Sequence, residues 1–224
     1  MIKTNSTVKT IHFFLTLLTW QTLTAQKQLD LNNLSDFKNV GANWHIAGDV
    51  NADLNKADTL NISNGKGVLV NQPGTAARED LFTNFKHGDL DIELDYMMAK
   101  GSNSGIYLQG RYEVQLLDSW GVLNPRSGDN GGIYERWDDT KPEGQKGYEG
   151  YAPRQNVSRA PGLWQHLKIT FQAPHFEGST KIDNAKILRV ELNGVLIQEN
   201  VFPVIIGGSS ALVPALDKAL SHQK

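Results

Sequence analysis

The feature that most constrains the fold of this chain is a strict two-residue alternation in residues 88–99. Apolar and acidic side chains take turns there, the apolar ones being Leu90, Ile92, Leu94, Tyr96 and Met98 and the acidic ones Asp89, Asp91, Glu93 and Asp95. Because successive side chains of a strand point to opposite faces, the pattern predicts a β-strand with one face in the core. The acids predict a solvated outer face that also discourages edge-to-edge pairing, with Glu93 kept as a lower-ranked site candidate.

Other segments repeat this two-residue period. Leu167, Ile169 and Phe171 alternate with polar residues, and Asn193-Gly194 lies between two apolar runs, which predicts a β-hairpin. Short strands are also predicted around 60–62 and 68–70. Many short strands, frequent turns and little helix predict an all-β fold, an antiparallel β-sandwich of the jelly-roll type.

Residues 101–118 predict two short strands, 106–109 and 111–117, joined at Gln109 and Gly110. Strand parity divides the second strand into a core face with Tyr112, Val114 and Leu116 and an opposite face with Arg111, Glu113 and Gln115. Such a polar row is common on a solvated face, so parity alone leaves that interpretation open. The small polar residues 102–105, just before the first strand, would let a ligand approach the backbone closely.

Apolar residues in 120–161 show almost no regular spacing of the kind that predicts a strand or helix, but the segment is rich in Gly, aromatic and charged residues. A long loop region inside a compact domain is usually functional or disordered, and its aromatic content argues against disorder. We expect these loops to wall a pocket above Glu113. Aromatic rings beside carboxylates and amides suit a sugar, so the predicted substrate-binding residues are Asn103, Tyr107, Gln109, Gln115, Trp120, Tyr134, Trp137 and Asn156.

Residues 103–119, with the sequence NSGIYLQGRYEVQLLDS, resemble the signature of the 3-keto-disaccharide hydrolase domain family. The later pieces GGIY at 131–134 and GLWQ at 162–165, together with Asn156, resemble its pattern in the right order. The resemblance covers residues from about 30 to 201. It implies a concanavalin A-like lectin/glucanase sandwich and an activity on 3-keto-glycosides.

The candidate catalytic residues are Glu113, Glu135, Arg111 and Asp118. An ordinary glycosidase uses two carboxylates, for which Glu113 and Glu135 lead, although a salt bridge with Arg136 would also explain Glu135. Asp118 has the opposite parity to Glu113 and joins the site only if the strand bends or ends there. Arg111 is expected to keep Glu113 ionised as a base.

A ketone at C3, which the resemblance implies, would acidify the C2 proton, so that one general base such as Glu113 could drive elimination. Arg111 would then be the enolate or orientation partner. No cofactor is certain. The sequence has no metal motif, and a divalent metal that stabilises the enolate, with Glu113, Glu135 or His166 as ligands, stays open.

Two other function classes compete with an enzyme. A non-catalytic carbohydrate-binding module on the same sandwich would explain the aromatic residues without paired acids, whereas a periplasmic scaffold protein has only the generic fold in its favour. The expected partner is a saccharide. Oligomeric state has no sequence signal.

The N-terminus carries Lys3 and Lys9, an apolar run and a Leu-Thr-Ala end, which predicts a secretory signal peptide over residues 1–25 and an exported, periplasmic or extracellular protein. The apolar run is too short for a membrane span. Cleavage would remove two of the 22 Lys and Arg residues, leaving 20 against 24 acidic residues and a net charge of −4. This charge argues against a nucleic-acid partner. The absence of Cys excludes disulfides and thiol chemistry.

The predicted domain organisation follows from these boundaries. A signal peptide occupies 1–25, one hydrolase-like sandwich domain 26–203, and a tail that departs from the family pattern 204–224. This tail lacks the expected Gln-x-x-His-Gly element and has a helix-like end at 216–221.

A short loop at 51–55 carries oxygen ligands but lacks calcium-loop spacing, and a solvated loop is the favoured interpretation.

Overall fold

The computed structural model describes residues 26–75 and 78–203, which form an all-β protein. No helix occurs among these residues. The strands, in chain order, are β1 (Phe37–Lys38), β2 (Trp44–Ala52), β3 (Leu60–Asn71), β4 (Phe82–Thr83), β5 (Leu90–Tyr96), β6 (Asn103–Leu108), β7 (Tyr112–Leu117), β8 (Arg136–Trp137), β9 (Gly147–Tyr148), β10 (Gln165–Gln172), β11 (His175–Glu177), β12 (Thr180–Asp183), β13 (Lys186–Leu192) and β14 (Val195–Val201). The signal peptide predicted at 1–25 and the tail at 204–224 lie outside the described residues.

The first layer is a four-stranded antiparallel sheet in the order β14-β13-β10-β5. Leu167 at its centre pairs with Leu94 of β5 and Leu192 of β13 and is fully buried. The alternation predicted for residues 88–99 is confirmed over β5, where the acids are exposed and the apolar residues face inward. The hairpin predicted at Asn193-Gly194 is also confirmed, with both residues at positive φ (54° and 81°).

The second layer is built on the β6–β7 hairpin. Gln109 and Gly110 form its turn with φ values of 54° and 66°, a backbone conformation that glycine adopts without a steric penalty. Backbone bridges then join Val114 of β7 to Ile133 and Ile133 to Tyr151. Two short segments of the loop region therefore pair side by side next to β7.

The hydrophobic core lies between these layers. Val114 and Ile133 from the second layer belong to one cluster with Ile169, Val190 and Ile197 from the first, and each is at most 1% exposed. The predicted antiparallel β-sandwich is therefore confirmed.

A long β2–β3 hairpin packs a smaller core of Ala47, Val50 and Val70. The two short strands predicted around 60–62 and 68–70 are one continuous strand, β3. Gly48 and Gly65 face each other across this hairpin, where a Cβ on Gly48 would lie 2.7 Å from the carbonyl oxygen of Asn64. No helix in the described part of the chain is long and apolar enough to cross a membrane.

Candidate active site

Glu113 is the second residue of β7, on the face opposite the core. The predicted parity holds, since Tyr112, Val114 and Leu116 all belong to the core cluster. The polar face is nevertheless covered: Glu113 is 7% exposed and Gln115 is 3% exposed. A carboxyl group so far from water needs a specific environment, because burial disfavours its ionised form.

The carboxyl group of Glu113 packs against Gly105 of β6. A Cβ on Gly105 would overlap the Glu113 carboxyl atoms, so only glycine leaves room for this side chain. Tyr107 of the same strand is directly opposite Glu113 in the β6–β7 register, and its hydroxyl donates a hydrogen bond to the Glu113 carboxylate. Residues 102–105 are predicted to let a ligand approach the backbone. One of them, Gly105, leaves room for the side chain of Glu113.

Burial raises the pKa of Glu113 to about 7, the hydrogen bond from Tyr107 opposes the rise, and the negative charge of Asp80 adds to it. Burial thus outweighs the effects that favour the ionised form, and the role predicted for Arg111 beside Glu113 stays a prediction. Arg111 precedes β7 in the hairpin turn, where its backbone N–H donates to the carbonyl of Leu108 at 3.1 Å. It is not among the groups that shift the Glu113 pKa. Near neutral pH, Glu113 is present in both protonation states.

A backbone ladder brings Tyr134 beside Glu113. The segment 131–134 pairs with β7, and the Tyr134 N–H donates to the carbonyl of Glu113 at 3.1 Å. Burial raises the pKa of the Tyr134 hydroxyl, and the charges of Glu113 and Glu135 raise it further. The charges of the two leading catalytic candidates therefore both act on Tyr134.

Glu135 is held by Ser127 and by two glycines. The Ser127 hydroxyl donates to Glu135 Oε1 at 2.6 Å. A Cβ on Gly147 would overlap the Glu135 carboxylate, and one on Gly150 would lie 2.5 Å from Glu135 Cγ. The alternative of a salt bridge with Arg136 is not observed, because Arg136 pairs with Glu149 at 3.8 Å.

Asp80 contributes a third carboxylate, which no pattern in the sequence indicated. Its charge raises the pKa of both Tyr107 and Glu113, after the larger effect of burial. The connection between β3 and β5 passes along the hairpin, since His87 farther along it contacts the backbone and side chain of Gln109. The site is therefore bordered by this connection on one side and by the Tyr134–Glu135 loop on the other.

A family profile matches most of the chain. Residues 29–210 match the profile of the 3-keto-alpha-glucoside-1,2-lyase-like domain. The chain belongs to this family. Family membership indicates a glycosyl hydrolase-like function in general terms.

The chain is also similar to a solved structure from Parabacteroides distasonis ATCC 8503, assigned as a glycosyl hydrolase. The identity is 24%, the TM-score is 0.46, and the match covers 81% of this chain and 66% of that one. The chain therefore spans slightly less than two thirds of that protein. No curated protein matches the chain significantly.

Three of the remaining residues predicted to form the site of this lyase-like domain are used in local structure. Asp118 accepts a hydrogen bond from the Gly101 N–H at 2.9 Å and so closes the end of the hairpin. The Asn156 amide donates to the carbonyls of Ser119 and Val122, at 2.6 and 2.9 Å. Gln109 forms the turn and donates to the His87 carbonyl at 3.2 Å. Their proposed contacts with substrate stay predictions.

The other predicted binding residues lie in the β6–β7 hairpin or in the segments that follow it. Asn103 accepts a hydrogen bond from the buried Gln115 amide at 2.8 Å, which holds the start of β6 against β7. Trp120 is exposed, and Trp137 is in β8. Two surface hollows, one beside residues 28–32 and the other between β5 and β10, contain none of the site residues.

The candidate metal ligands are not brought together. His166 is on the outer face of β10, where Nδ1 contacts Asp95 at 2.7 Å and Nε2 contacts Glu93 at 3.2 Å. It is therefore on the opposite face from the core residue Leu167 and cannot join Glu113 in one ligand set. Within the described ranges, no cluster of three or more His, Asp or Glu residues is arranged to hold a metal ion.

Proposed function

We propose that this protein cleaves 3-keto-glycosides by an elimination that Glu113 starts as general base. The observation that carries the proposal is a buried carboxyl group with a pKa of about 7 that accepts a hydrogen bond from the Tyr107 hydroxyl and whose charge also acts on the Tyr134 hydroxyl. A general base works best when its pKa is near the operating pH, because it is then both available and basic. The name of the family, a 3-keto-alpha-glucoside-1,2-lyase-like domain, supports the substrate class and the bond.

The reaction follows from the acidity that a C3 ketone gives to the C2 proton. The Glu113 carboxylate takes that proton, and the electron pair of the C2–H bond moves to the C3 oxygen as an enolate. The enolate then re-forms the ketone, a C1=C2 double bond appears, and the C1–O bond breaks. The Tyr107 hydroxyl donates to the Glu113 carboxylate before the reaction. Once Glu113 has taken the C2 proton, it can donate to Tyr107 in turn, and the Tyr107 proton can then turn to the C3 oxygen and stabilise the enolate.

The leaving oxygen needs a proton, and Tyr134 is the donor in this proposal. Its raised pKa keeps the hydroxyl protonated at neutral pH. The proton on Glu113 returns to Tyr134 through the site, so the protein ends unchanged and the glycoside becomes an unsaturated ketone and an alcohol. Water adding across C1=C2 would complete hydrolysis.

Paired substrates test the proposal. The purified protein should turn over methyl 3-keto-α-glucoside far faster than methyl α-glucoside, measured by release of methanol. Glu113→Gln should lower kcat by roughly 10²–10⁴-fold, the usual loss when a general base is removed. Glu93→Gln is the matched control, since Glu93 is exposed on the outer face with Lys168 at 3.1 Å.

The other outcomes identify the competing functions. Equal turnover of both glycosides would contradict elimination and favour an ordinary two-carboxylate glycosidase. Binding of either sugar with no turnover would favour the carbohydrate-binding module, which the exposed ring of Tyr107, with 49% of its surface accessible, also supports.

A further inference from the structure

The carboxyl group of Glu135 is held in the same way as that of Glu113. The Ser127 hydroxyl donates to Glu135 Oε1 at 2.6 Å. Glu113 likewise accepts a hydrogen bond from the Tyr107 hydroxyl. A glycine also leaves room for each carboxyl group, and for Glu135 this is Gly147, where a Cβ would overlap Oε2. The fold therefore orients two carboxyl groups, whereas the elimination proposed above uses only one of them.

The position of Ser127 is fixed by the sheet that carries Glu113. A Cβ on Gly132 would overlap the carbonyl group of Ser127, so the loop that carries Ser127 packs directly on this glycine. The carbonyl of Gly132 accepts a hydrogen bond from the Gln115 N–H of β7 at 2.9 Å. Ser127 is also only 8% exposed, so the hydroxyl that orients Glu135 is buried against the sheet.

Strand pairing places Glu135 near Glu113. The bridge between Val114 and Ile133 brings Tyr134 opposite Glu113, and the Tyr134 N–H donates to the Glu113 carbonyl at 3.1 Å. Paired Cα atoms are roughly 5.5 Å apart and consecutive ones about 3.8 Å, so the Cα atoms of Glu113 and Glu135 are within about 10 Å of each other. The two carboxyl groups are therefore close enough to act on one sugar ring from different positions.

The unsaturated ketone that the elimination produces has a second reactive carbon. Its C1=C2 double bond is conjugated with the C3 ketone, so C1 is electrophilic and can accept the oxygen of a water molecule. The water must lose a proton as it adds, and C2 must gain one. Glu113 acts at C2, so a different group is needed to take the proton from the water.

We propose that Glu135 is the general base that activates this water, and that Ser127 is a positioning residue that orients its carboxylate. The proposal rests on the function proposed above. The water oxygen bonds to C1 while its proton passes to Glu135, and the C1=C2 electron pair moves toward C3 to give an enolate at the C3 oxygen. The enolate re-forms the ketone as C2 takes a proton from Glu113, which holds one in part of the molecules near neutral pH. The proton on Glu135 then returns to Glu113 through solvent, and the product is the free 3-keto sugar.

Hydration measured apart from elimination tests this role. The purified protein is given the unsaturated ketone itself, and the loss of its ultraviolet enone absorbance follows the addition of water. Glu135→Gln should lower kcat for this hydration by roughly 10²–10⁴-fold, the usual loss when a general base is removed. With methyl 3-keto-α-glucoside the same variant should accumulate the unsaturated ketone, so that the ratio of hydration to methanol release falls.

Three further variants separate this chemistry from a structural effect. Gly147→Ala keeps the Glu135 carboxyl group but displaces it, and Ser127→Ala removes the hydroxyl that orients it. Each should lower the ratio of hydration to methanol release by up to about 10²-fold, the scale of a 1 Å misplacement. Glu143→Gln is the matched control and should keep the wild-type ratio, because Glu143 is exposed in the same loop region and pairs with Lys146 at 3.0 Å. Circular dichroism shows whether each variant is folded.

The two proposals fail in different ways. If Glu135→Gln hydrates the unsaturated ketone as fast as wild type, or if hydration and methanol release fall together in the folded variant, the assignment of Glu135 is overturned. Wild-type release of methanol with no hydration would also overturn it and leave the elimination intact. Hydration that depends on Glu135 in a wild-type protein that releases no methanol would overturn the elimination and leave Glu135 as the base for water. Absence of both reactions would overturn both.

Discussion

Replacing Glu113 by glutamine is expected to stabilise the protein at pH 8 and to leave its stability at pH 4 almost unchanged. The reason is that the buried carboxyl group of Glu113 has a pKa of about 7 in the folded protein, against an ordinary value of 4.5. Glutamine has nearly the same shape but no charge. It can also accept the hydrogen bond that Tyr107 donates.

The sign follows from proton binding. Between pH 4.5 and about 7, folded Glu113 holds its proton and unfolded Glu113 has lost it, so the free energy of unfolding falls as the pH rises through this range. Below it, both states are protonated, and above it both are ionised, so this residue adds no further pH dependence. The difference between the two pKa values corresponds to about 3 kcal/mol, which is the largest stabilisation that Glu113→Gln can give at pH 8.

Urea unfolding at pH 4, 6 and 8, followed by circular dichroism, measures this directly. The control is Glu177→Gln, which makes the same chemical change on the exposed strand β11. Its difference from wild type should be within about 0.5 kcal/mol at every pH, as for most surface substitutions. If Glu113→Gln is no more stable than wild type at pH 8, burial does not disfavour the ionised form of Glu113, and the reasoning is refuted.

Three further predictions concern the site, the core and export. Gly105→Ala should displace the Glu113 carboxyl group and lower kcat/KM by about 10²-fold, the scale of a 1 Å misplacement, with circular dichroism showing whether the fold is kept. Val114→Leu should destabilise the protein in urea by about 1–3 kcal/mol, because Val114 is fully buried and an added methylene overpacks the core. We propose that the protein is exported with cleavage after Ala25, so mass spectrometry of the native protein should find Gln26 at its N-terminus, and an intact Met1 would contradict this.

Much of the fold could be predicted because it depends on local periodicity. The alternation in β5 indicates a strand with one buried face, and Asn193-Gly194 indicates a turn that needs two positive φ angles. The parity of β7 also placed Glu113 opposite Val114 correctly. Parity could not predict that the opposite face of β7, which carries Glu113 and Gln115, is also buried, because its burial depends on segments distant in the sequence.

The parts of the site that could not be predicted are those made by such distant contacts. The charge of Asp80 acts on Glu113, and the carbonyl of the preceding residue, Glu79, accepts hydrogen bonds from Asn43 and Trp44. No local pattern around residue 80 indicates these distant interactions. Conversely, Asn156 looked like a sugar ligand by residue type, yet its amide donates to two backbone carbonyls within the loops. Residue type gives the chemistry that is available, whereas its partners in the fold decide how it is used.

The stability cost of Glu113 bears on the choice between an enzyme and a carbohydrate-binding module. A module that only holds a sugar needs aromatic faces and hydrogen-bonding groups, and glutamine at position 113 would supply these without the cost of about 3 kcal/mol at pH 8. A general base has no such substitute, because burial and the nearby Asp80 charge are what bring its pKa to the working range. Gly105, which leaves room for the carboxyl group, fits the same requirement. A buried carboxyl group that destabilises the protein at pH 8 therefore favours catalysis over binding alone. We expect the Glu113→Gln protein to keep its sugar affinity while its kcat falls by roughly 10²–10⁴-fold.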